Sequence, residues 1–173
     1  FAHMFTDLSK QLVNIQENDL VIIDLKDPIS FITYVFALLQ KKAVPCLMNS
    51  YFSENQIEQV LTRNKYDWII SDHLIMSKPI AEVLNRHNVK DVVLERNSPI
   101  LDCLPNIHFN QSIIFYSSGS IFPKACVLTL ENLFFNALGS YENIPFDRNE
   151  TWGLCLPTFH VGGFSIFIRA LLK

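Results

Sequence analysis

A short polar loop follows an apolar stretch of the chain at residue 116. It contains Ser117, Ser118, Gly119 and Ser120, and Lys124 comes soon after them. Small residues let an anion approach backbone N–H groups, hydroxyls donate further hydrogen bonds, and a lysine adds positive charge. This combination indicates a loop that holds phosphate groups. Serine and glycine are also typical of a plain turn between two strands, so composition alone leaves both interpretations open.

A second set of candidate residues lies near the end of the sequence. His160 follows an apolar stretch and precedes Gly162 and Gly163, which allow the chain to turn closely. A single histidine in such a place is more often a hydrogen-bonded structural residue than a catalyst. Arg169, in a predicted helix, is by default solvated or ion-paired.

The elements that must position these residues alternate along the chain. Short apolar strands are predicted to alternate with amphipathic helices, which indicates an α/β fold with a largely parallel sheet and helices on both faces. The predicted helices are Met4–Gln16, Ile29–Lys42, Ser53–Arg63, Pro79–His87, Thr129–Tyr141 and Phe164–Leu172. The predicted strands are Leu20–Leu25, Ala43–Met48, Asp67–Ser71, Val89–Glu95, Ile107–Tyr116, Cys126–Leu128 and Thr151–Leu156.

Local signals mark the starts of three helices. Asp27 precedes Pro28 as a cap before the first helical position, Ser53 and Gln56 have the spacing of a capping box, and Thr129 can cap the helix that follows it. The aromatic residues Phe134, Phe135, Phe164 and Phe167 are expected in the core.

Charge and hydropathy exclude several classes of partner. The net charge is −3 and the lysines and arginines are scattered, so neither a nucleic-acid site nor a binding site for anionic membranes is expected. The longest strongly apolar stretch, Ile29–Leu39, is too short to cross a bilayer. No membrane span is expected.

The cysteines carry information about the compartment. Cys46, Cys103, Cys126 and Cys155 include no C-x-x-C pair and mostly have apolar neighbours, so buried free thiols are expected. Free thiols are typical of a reducing compartment, which predicts a cytoplasmic protein.

Two motifs resemble those of one known family. Tyr116-Ser-Ser-Gly-Ser120 followed by Pro123-Lys124-Ala125 resembles the Ser/Thr/Gly-rich phosphate loop of the adenylate-forming, AMP-binding enzymes, which include the acyl-CoA synthetases. Leu156-Pro-Thr-Phe-His-Val-Gly-Gly163 is similar to the proline-aromatic-histidine motif that lines their acyl pocket. The motifs occur in the family's order, separated by one predicted helix and one predicted strand.

The resemblance implies a fold, a reaction and a set of ligands. The chain would be the N-terminal part of the large domain of an acid–thiol ligase, which uses ATP and Mg²⁺ to activate a small carboxylic acid and transfers the acyl group to coenzyme A. It implies that Ser117, Ser118, Gly119, Ser120 and Lys124 bind the nucleotide and that His160, Gly162, Gly163 and Arg169 bind the acid. It implies no metal ligand and assigns no catalytic residue within these residues.

Arg169 also carries a narrower likeness. Its position after the histidine motif resembles the o-succinylbenzoate–CoA ligases of the family, which implies a role in menaquinone biosynthesis. A guanidinium pairs with a carboxylate in a fixed two-point geometry, so an arginine here suits a substrate with a second carboxylate.

The sequence departs from the family pattern inside the first motif. Only Ile121 and Phe122 stand between Ser120 and Pro123, where the pattern has a hydroxyl residue, a glycine and a variable residue, and Ala125 replaces a glycine. The loss of a hydroxyl donor and of backbone freedom predicts weakened nucleotide binding.

The two ends of the chain support a partial domain. Residues 4–173 are expected to be an incomplete AMP-binding domain, because Phe164–Leu172 forms an apolar pattern that nothing later in the sequence covers. Residues 1–3 precede Met4 and have neither the positive charge nor the long apolar stretch of a targeting signal, so a cloning remnant is expected there. The missing partner is either a further part of the chain or a second copy. As a fragment it is expected to be inactive, and the alternative is a non-catalytic remnant or interaction module that keeps the fold.

Overall fold

The fold is an α/β sheet with helices on two sides. The computed structural model describes residues 11–72, 78–92, 108–117, 122–147 and 149–171. The strands are β1 (Leu20–Asp24), β2 (Val44–Leu47), β3 (Trp68–Ser71), β4 (Lys90–Asp91), β5 (Ser112–Tyr116) and β6 (Ala125–Thr129). The helices are α1 (Pro28–Gln40), α2 (Glu54–Arg63), α3 (Lys78–Arg86), α4 (Leu130–Asn143) and α5 (Val161–Ala170).

The six strands form one sheet in the order β4-β3-β1-β2-β5-β6. All neighbouring pairs are parallel except β5 and β6, which are antiparallel. Register places Ile22 opposite Cys46 on one side and Ile69 on the other. The predicted α/β class and largely parallel sheet are confirmed.

Alternate residues of the strands enter two separate cores, because successive side chains of a strand point to opposite faces. Val21 and Ile23 pack in the core that holds α1, α4 and α5, whereas Ile22 packs with α2 and α3 on the other face. The prediction of helices on both faces is therefore confirmed. This arrangement buries the sheet and leaves its edges and strand ends accessible.

All three predicted helix starts are present. Asp27 accepts a hydrogen bond from the backbone N–H of Ser30 at 2.7 Å, with Pro28 as the first helical residue. Ser53 and Gln56 form the predicted capping box. Thr129 also forms a capping box, with Asn132 as its partner. Each of these caps satisfies backbone N–H groups that the first helical turn leaves free.

Two predicted elements near the end of the chain differ from the structure. Residues 151–155 form no strand, because no other strand of the described residues hydrogen-bonds to them. The last helix begins at Val161 rather than Phe164, with His160 as its N-cap residue, and ends at Ala170. Gly162 and Gly163 thus lie in its first turn.

Three other predicted elements are shorter in the structure or lie partly outside the described residues. The strand predicted from residue 107 begins at Ser112. Of the predicted strand at residues 89–95, Lys90–Asp91 is present, and residues 93–95 lie outside the described part. Of the predicted first helix, residues 4–10 lie outside it, and the described remainder is mainly turn.

Burial corrects three expectations. Phe164 is fully buried, but Phe135 is 60% exposed on the outer face of α4. Cys46 is buried, whereas Cys126 and Cys155 are exposed, the former because β6 is an edge strand. Cys103 lies outside the described residues.

The predicted apolar surface at Phe164–Leu172 is only partly present, since Phe164 and Ile168 are buried whereas Leu171 is 46% exposed. Exposed apolar side chains also lie at Val127, Leu156 and Val161. Within the described ranges, no helix has the length and apolar character needed to cross a membrane.

Candidate functional site

The Ser/Gly loop joins the two antiparallel strands β5 and β6. Tyr116, the last residue of β5, pairs with Ala125, the first residue of β6. The loop is therefore a turn between two strands, which is one of the two interpretations that composition left open. It also starts at the carboxyl end of a strand in a mostly parallel sheet, the edge at which α/β proteins bind ligands.

Two hydrogen bonds close the base of the loop. The backbone N–H of Ser117 donates to the carbonyl of Lys124 at 3.0 Å, and the backbone N–H of Lys124 donates to Oγ of Ser117 at 3.1 Å. Both N–H groups are thus used within the protein. An anion in this loop would bind the Ser117 hydroxyl hydrogen, the Lys124 ammonium and donors between these two residues.

Lys124 is the cation of the loop. Its side chain is exposed and has no carboxylate partner among the described residues. Ser118, Gly119 and Ser120 lie outside the described residues. The described ends of the loop therefore place one hydroxyl and one unpaired cation on the same side of the β5–β6 hairpin.

The second motif forms a tight turn into α5. A Cβ atom at Gly163 would lie 2.1 Å from the carbonyl oxygen of Pro157, so no larger residue fits without movement of the backbone. The N–H of His160 donates to the same carbonyl at 3.1 Å. The predicted close approach of the backbone is present at Gly163, whereas a Cβ atom at Gly162 would meet only the Leu156 side chain, at 3.1 Å.

The imidazole of His160 is only partly buried. It makes no side-chain capping bond to α5, and its ring lies 4.7 Å from the Phe159 ring, centroid to centroid. The backbone of His160, rather than its side chain, forms the hydrogen bonds of the turn. Ring packing against Phe159 therefore helps to hold the side chain.

Arg169 borders a cavity of about 630 Å³ beside α5. Its guanidinium carbon lies 5.3 Å from the centroid of the Trp152 ring. Its Nε is shielded from solvent and has no hydrogen-bond partner among the described residues. Gly162, Ser165 and Leu156 also line this cavity, whereas His160 does not. The structure thus separates two residues that the sequence placed in one acid-binding set.

Ring contacts bring the two motifs to the same part of the sheet. Phe115 of β5 packs against Phe164 of α5 at 5.6 Å between ring centroids. Tyr51, which follows the carboxyl end of β2, contacts Phe159 at 5.7 Å. The histidine motif therefore lies near the sheet edge from which the Ser/Gly loop emerges.

Sequence reasoning missed a buried polar pair beneath the loop. The hydroxyls of Tyr66 and Tyr116 lie 2.6 Å apart, and the Asn64 amide donates to Tyr66 Oη at 3.2 Å. Burial raises the pKa of both phenols, so both remain neutral and able to donate. The only sequence signal is a tyrosine directly before a polar loop, and its partner is distant in sequence.

A buried carboxylate at the same edge was also missed. Asp24 ends β1 with no exposure and accepts hydrogen bonds from Ser50 at 2.8 Å and Ser71 at 3.3 Å. An acidic residue inside an otherwise apolar strand was its signal in the sequence. The described residues contain no group of three His, Cys, Asp or Glu side chains that could hold a metal ion.

Comparison with known sequences identifies relatives of known class. Residues 2–173 match the AMP-binding enzyme family. The chain is 26% identical to a 2-succinylbenzoate–CoA ligase of Geobacillus sp. (strain WCH70), over 95% of the chain and 34% of that relative. It is also 26% identical to a 2-succinylbenzoate–CoA ligase of Bacillus cereus (strain AH820), over 92% of the chain and 33% of that relative. The chain thus spans about a third of the length of the curated relatives it matches.

Solved structures show the same fold. An o-succinylbenzoate CoA synthetase from Bacillus subtilis, in complex with an acyl-adenylate intermediate, superposes with a TM-score of 0.76 at 19% identity, covering 99% of this chain and 47% of that one. A long-chain-fatty-acid–CoA ligase from Archaeoglobus fulgidus gives 0.77 at 19% identity, covering 98% and 37%. With the family match over nearly its whole length, the chain belongs to the AMP-binding enzyme family and is an N-terminal part of the adenylate-forming fold.

Proposed function

We propose that the chain is the N-terminal part of an acid–thiol ligase that activates a carboxylate with ATP and transfers the acyl group to coenzyme A. The observation that carries this proposal is the hairpin loop at the carboxyl end of β5, with Ser117 and Lys124 at its base and no carboxylate beside Lys124 among the described residues. The match of the whole chain to the AMP-binding enzyme family supports it.

In this proposal the loop binds the phosphates of the nucleotide and stabilises their negative charge. Ser117, Ser118, Gly119, Ser120 and Lys124 hold the β- and γ-phosphates, and Mg²⁺ neutralises further charge on them. The acid's carboxylate oxygen attacks the α-phosphorus and pyrophosphate leaves, which gives an acyl-adenylate. The sulfur of coenzyme A then attacks the acyl carbon, and AMP leaves with the bonding electron pair. A structure of a Bacillus subtilis o-succinylbenzoate CoA synthetase with ATP and magnesium is consistent with these ligands.

For the acid, we propose an aromatic substrate with two carboxylates, such as o-succinylbenzoate. His160, Gly162 and Gly163 would contact its acyl part, and Arg169 would bind its second carboxylate from the cavity beside α5. The unpartnered Nε of Arg169 supports this assignment, because a shielded guanidinium N–H gains most from an anionic acceptor. The names of the curated relatives, which are 2-succinylbenzoate–CoA ligases, agree with it. By the same likeness we propose that the whole enzyme acts in menaquinone biosynthesis.

The test is ATP·Mg binding by the complete gene product, measured by calorimetry. Lys124→Ala should weaken binding roughly tenfold or more, because it removes a charge-assisted contact to phosphate. Lys41→Ala is the matched control and should leave binding unchanged. Lys41 follows α1 and lies just before the amino end of β2, whereas the loop emerges at the carboxyl end of β5. An unaltered affinity in Lys124→Ala, or no ATP binding by the wild-type protein, would refute the proposal.

We also propose that the 173 residues alone do not complete the reaction, since the relatives are about three times as long. The exposed Leu156 and Val161, which border the cavity beside α5, support a partner for this surface, either more of the same chain or a second copy. The mass of the native protein and its sedimentation over a concentration series separate these partners. Dimerisation of a 19.9 kDa product without ATP binding would support the non-catalytic module instead.

The free thiols of Cys46, Cys126 and Cys155 support a cytoplasmic location.

A further inference from the structure

The end of α2 and the residues directly after it contact the Ser/Gly loop on both of its sides. Tyr66 meets Tyr116, the residue directly before the loop, through the hydroxyl contact of 2.6 Å. Arg63 places its guanidinium carbon 5.3 Å from the centroid of the Phe122 ring, on the returning side of the loop. Two residues three positions apart therefore contact the loop, Tyr66 at its entry and Arg63 at its exit, although the loop lies more than fifty residues away in the sequence.

The two contacts differ in kind and act in different ways. The Tyr66–Tyr116 contact is buried, with Tyr66 2% and Tyr116 4% exposed, so water does not compete for it. Phe52 adds an edge-on ring contact to Tyr116 at 6.4 Å. The Arg63–Phe122 contact lies at the surface, within the distance at which a cation is attracted to an aromatic face. The entry side is thus fixed internally and the exit side is held by a surface contact.

The loop itself has unusual need of such support. It has one residue fewer between Ser120 and Pro123 than the family pattern and lacks a glycine there. Phe122 occupies this shortened part, and its ring is what Arg63 contacts. The only backbone ties described at the loop's base are those between Ser117 and Lys124. The contacts of Tyr66 and Arg63 come from outside the hairpin and add a tie on each of its two sides.

We propose that residues 63–66 form a clamp in which Tyr66 and Arg63 are positioning residues for the phosphate loop. The inference rests on the proposed ATP-binding function. Neither residue contacts the nucleotide in this scheme. Tyr66 fixes the start of the loop through Tyr116, and Arg63 fixes its end through Phe122, so that Ser117 and Lys124 face the phosphates together.

The test compares ligands that use the loop with one that does not. In the complete gene product, Tyr66→Phe and Arg63→Gln are each expected to weaken binding of ATP·Mg and of magnesium pyrophosphate about two- to fivefold, the factor that a surface cation–π contact or one hydrogen bond corresponds to. AMP affinity should not change, because AMP lacks the phosphates that the loop holds. Arg63→Lys keeps a cation over the ring and should restore most of the affinity.

Matched controls remove the same groups elsewhere. Tyr34→Phe deletes a buried hydroxyl that bonds to Gln11, and Arg86→Gln deletes a surface guanidinium that pairs with Glu58 at 3.2 Å. Neither should alter the affinity for any of the three ligands. In a Phe122→Leu background, Arg63→Gln should have no further effect, since the ring it contacts is absent.

Four results would overturn the clamp. Equal losses for ATP·Mg and AMP would show a general structural role, as would losses that merely follow a lowered melting temperature. Unchanged ATP·Mg and pyrophosphate binding in both variants would refute the clamp while leaving the ligase proposal in place. Absence of ATP binding in the wild-type protein would refute both.

Discussion

The carbonyl oxygen of Pro157 lies 2.1 Å from the position that a Cβ atom of residue 163 would occupy. The same carbonyl accepts a hydrogen bond from the backbone N–H of His160. Pro157 therefore fixes the histidine turn and the first turn of α5 against each other. Glycine at position 163 is a geometric requirement of this contact.

Gly163→Ala should consequently lower the free energy of unfolding by about 1 to 3 kcal/mol, the usual cost of overpacking a close contact. Gly162→Ala is the control, because its added Cβ would meet only the Leu156 side chain, at 3.1 Å. That change should stay within about 1 kcal/mol of wild type, helped by the higher helix propensity of alanine. Denaturant unfolding of both variants gives the comparison, and equal losses would contradict the role of the Pro157 carbonyl.

The Asp27 cap should make stability depend on pH at its acidic end. The backbone N–H and the hydroxyl of Ser30 both donate to Asp27, each at 2.7 Å, and lower the pKa of that carboxyl below its ordinary value of 3.8. Because the folded state favours the carboxylate, this stabilisation is complete above the ordinary pKa. It is lost as pH falls through the lower pKa of the folded state.

Asp27→Asn keeps a good capping residue but does not titrate. The difference in unfolding free energy between wild type and Asp27→Asn should therefore be constant from pH 7 to about 5 and shift against wild type below about pH 4. Urea unfolding at a series of pH values measures it. A difference that is independent of pH would show that the Asp27 charge contributes nothing to the cap.

The three described cysteines should react with thiol reagents at different rates. Cys126 and Cys155 are exposed, whereas Cys46 has no exposure and burial raises the pKa of its thiol, so that little thiolate is present. Peptide mapping after brief alkylation should find Cys126 and Cys155 modified and Cys46 intact. Cys46 should be labelled in denaturant. Rapid labelling of Cys46 in the native protein would contradict its position in the sheet.

Arg169 should affect the acid and not the nucleotide. In the complete gene product, Arg169→Met is expected to raise KM for o-succinylbenzoate about tenfold or more, with KM for ATP unchanged, because a charge-assisted contact to the second carboxylate is lost. Arg169→Lys should restore only part of the affinity for the acid, since an ammonium lacks the planar pair of N–H donors with which a guanidinium binds a carboxylate. A monocarboxylic analogue that keeps the reacting carboxylate and lacks the second one should bind wild type and variant equally. Equal losses for both acids would assign Arg169 to packing on Trp152.

What the sequence could predict were the features that depend on near neighbours. The caps at Asp27, Ser53 and Thr129 involve residues three apart, and all three are present. The two-faced sheet follows from apolar strands such as Leu20–Asp24, whose alternate residues enter different cores. These signals are local or periodic and need no knowledge of the partner.

The features that failed or were missed depend on distant partners. An apolar run at residues 151–156 becomes a strand only beside another strand, and the described residues offer none. Cys126 has apolar neighbours in sequence, but its strand is at the sheet edge. The Tyr66–Tyr116 contact joins residues fifty apart, so neither position alone indicated it.

The β5–β6 hairpin also has a consequence for the order in which this molecule folds. Its two strands are separated in sequence only by residues 117–124. By contrast, a whole helix separates β1 from β2, and residues 48–111 separate β2 from β5. Closing a short loop costs less chain entropy than closing a long one, and local contacts form faster. The hairpin should therefore be an early folding unit, complete before the parallel strands dock. The part of the chain assigned to phosphate would then be shaped first, and its neighbours would assemble around it.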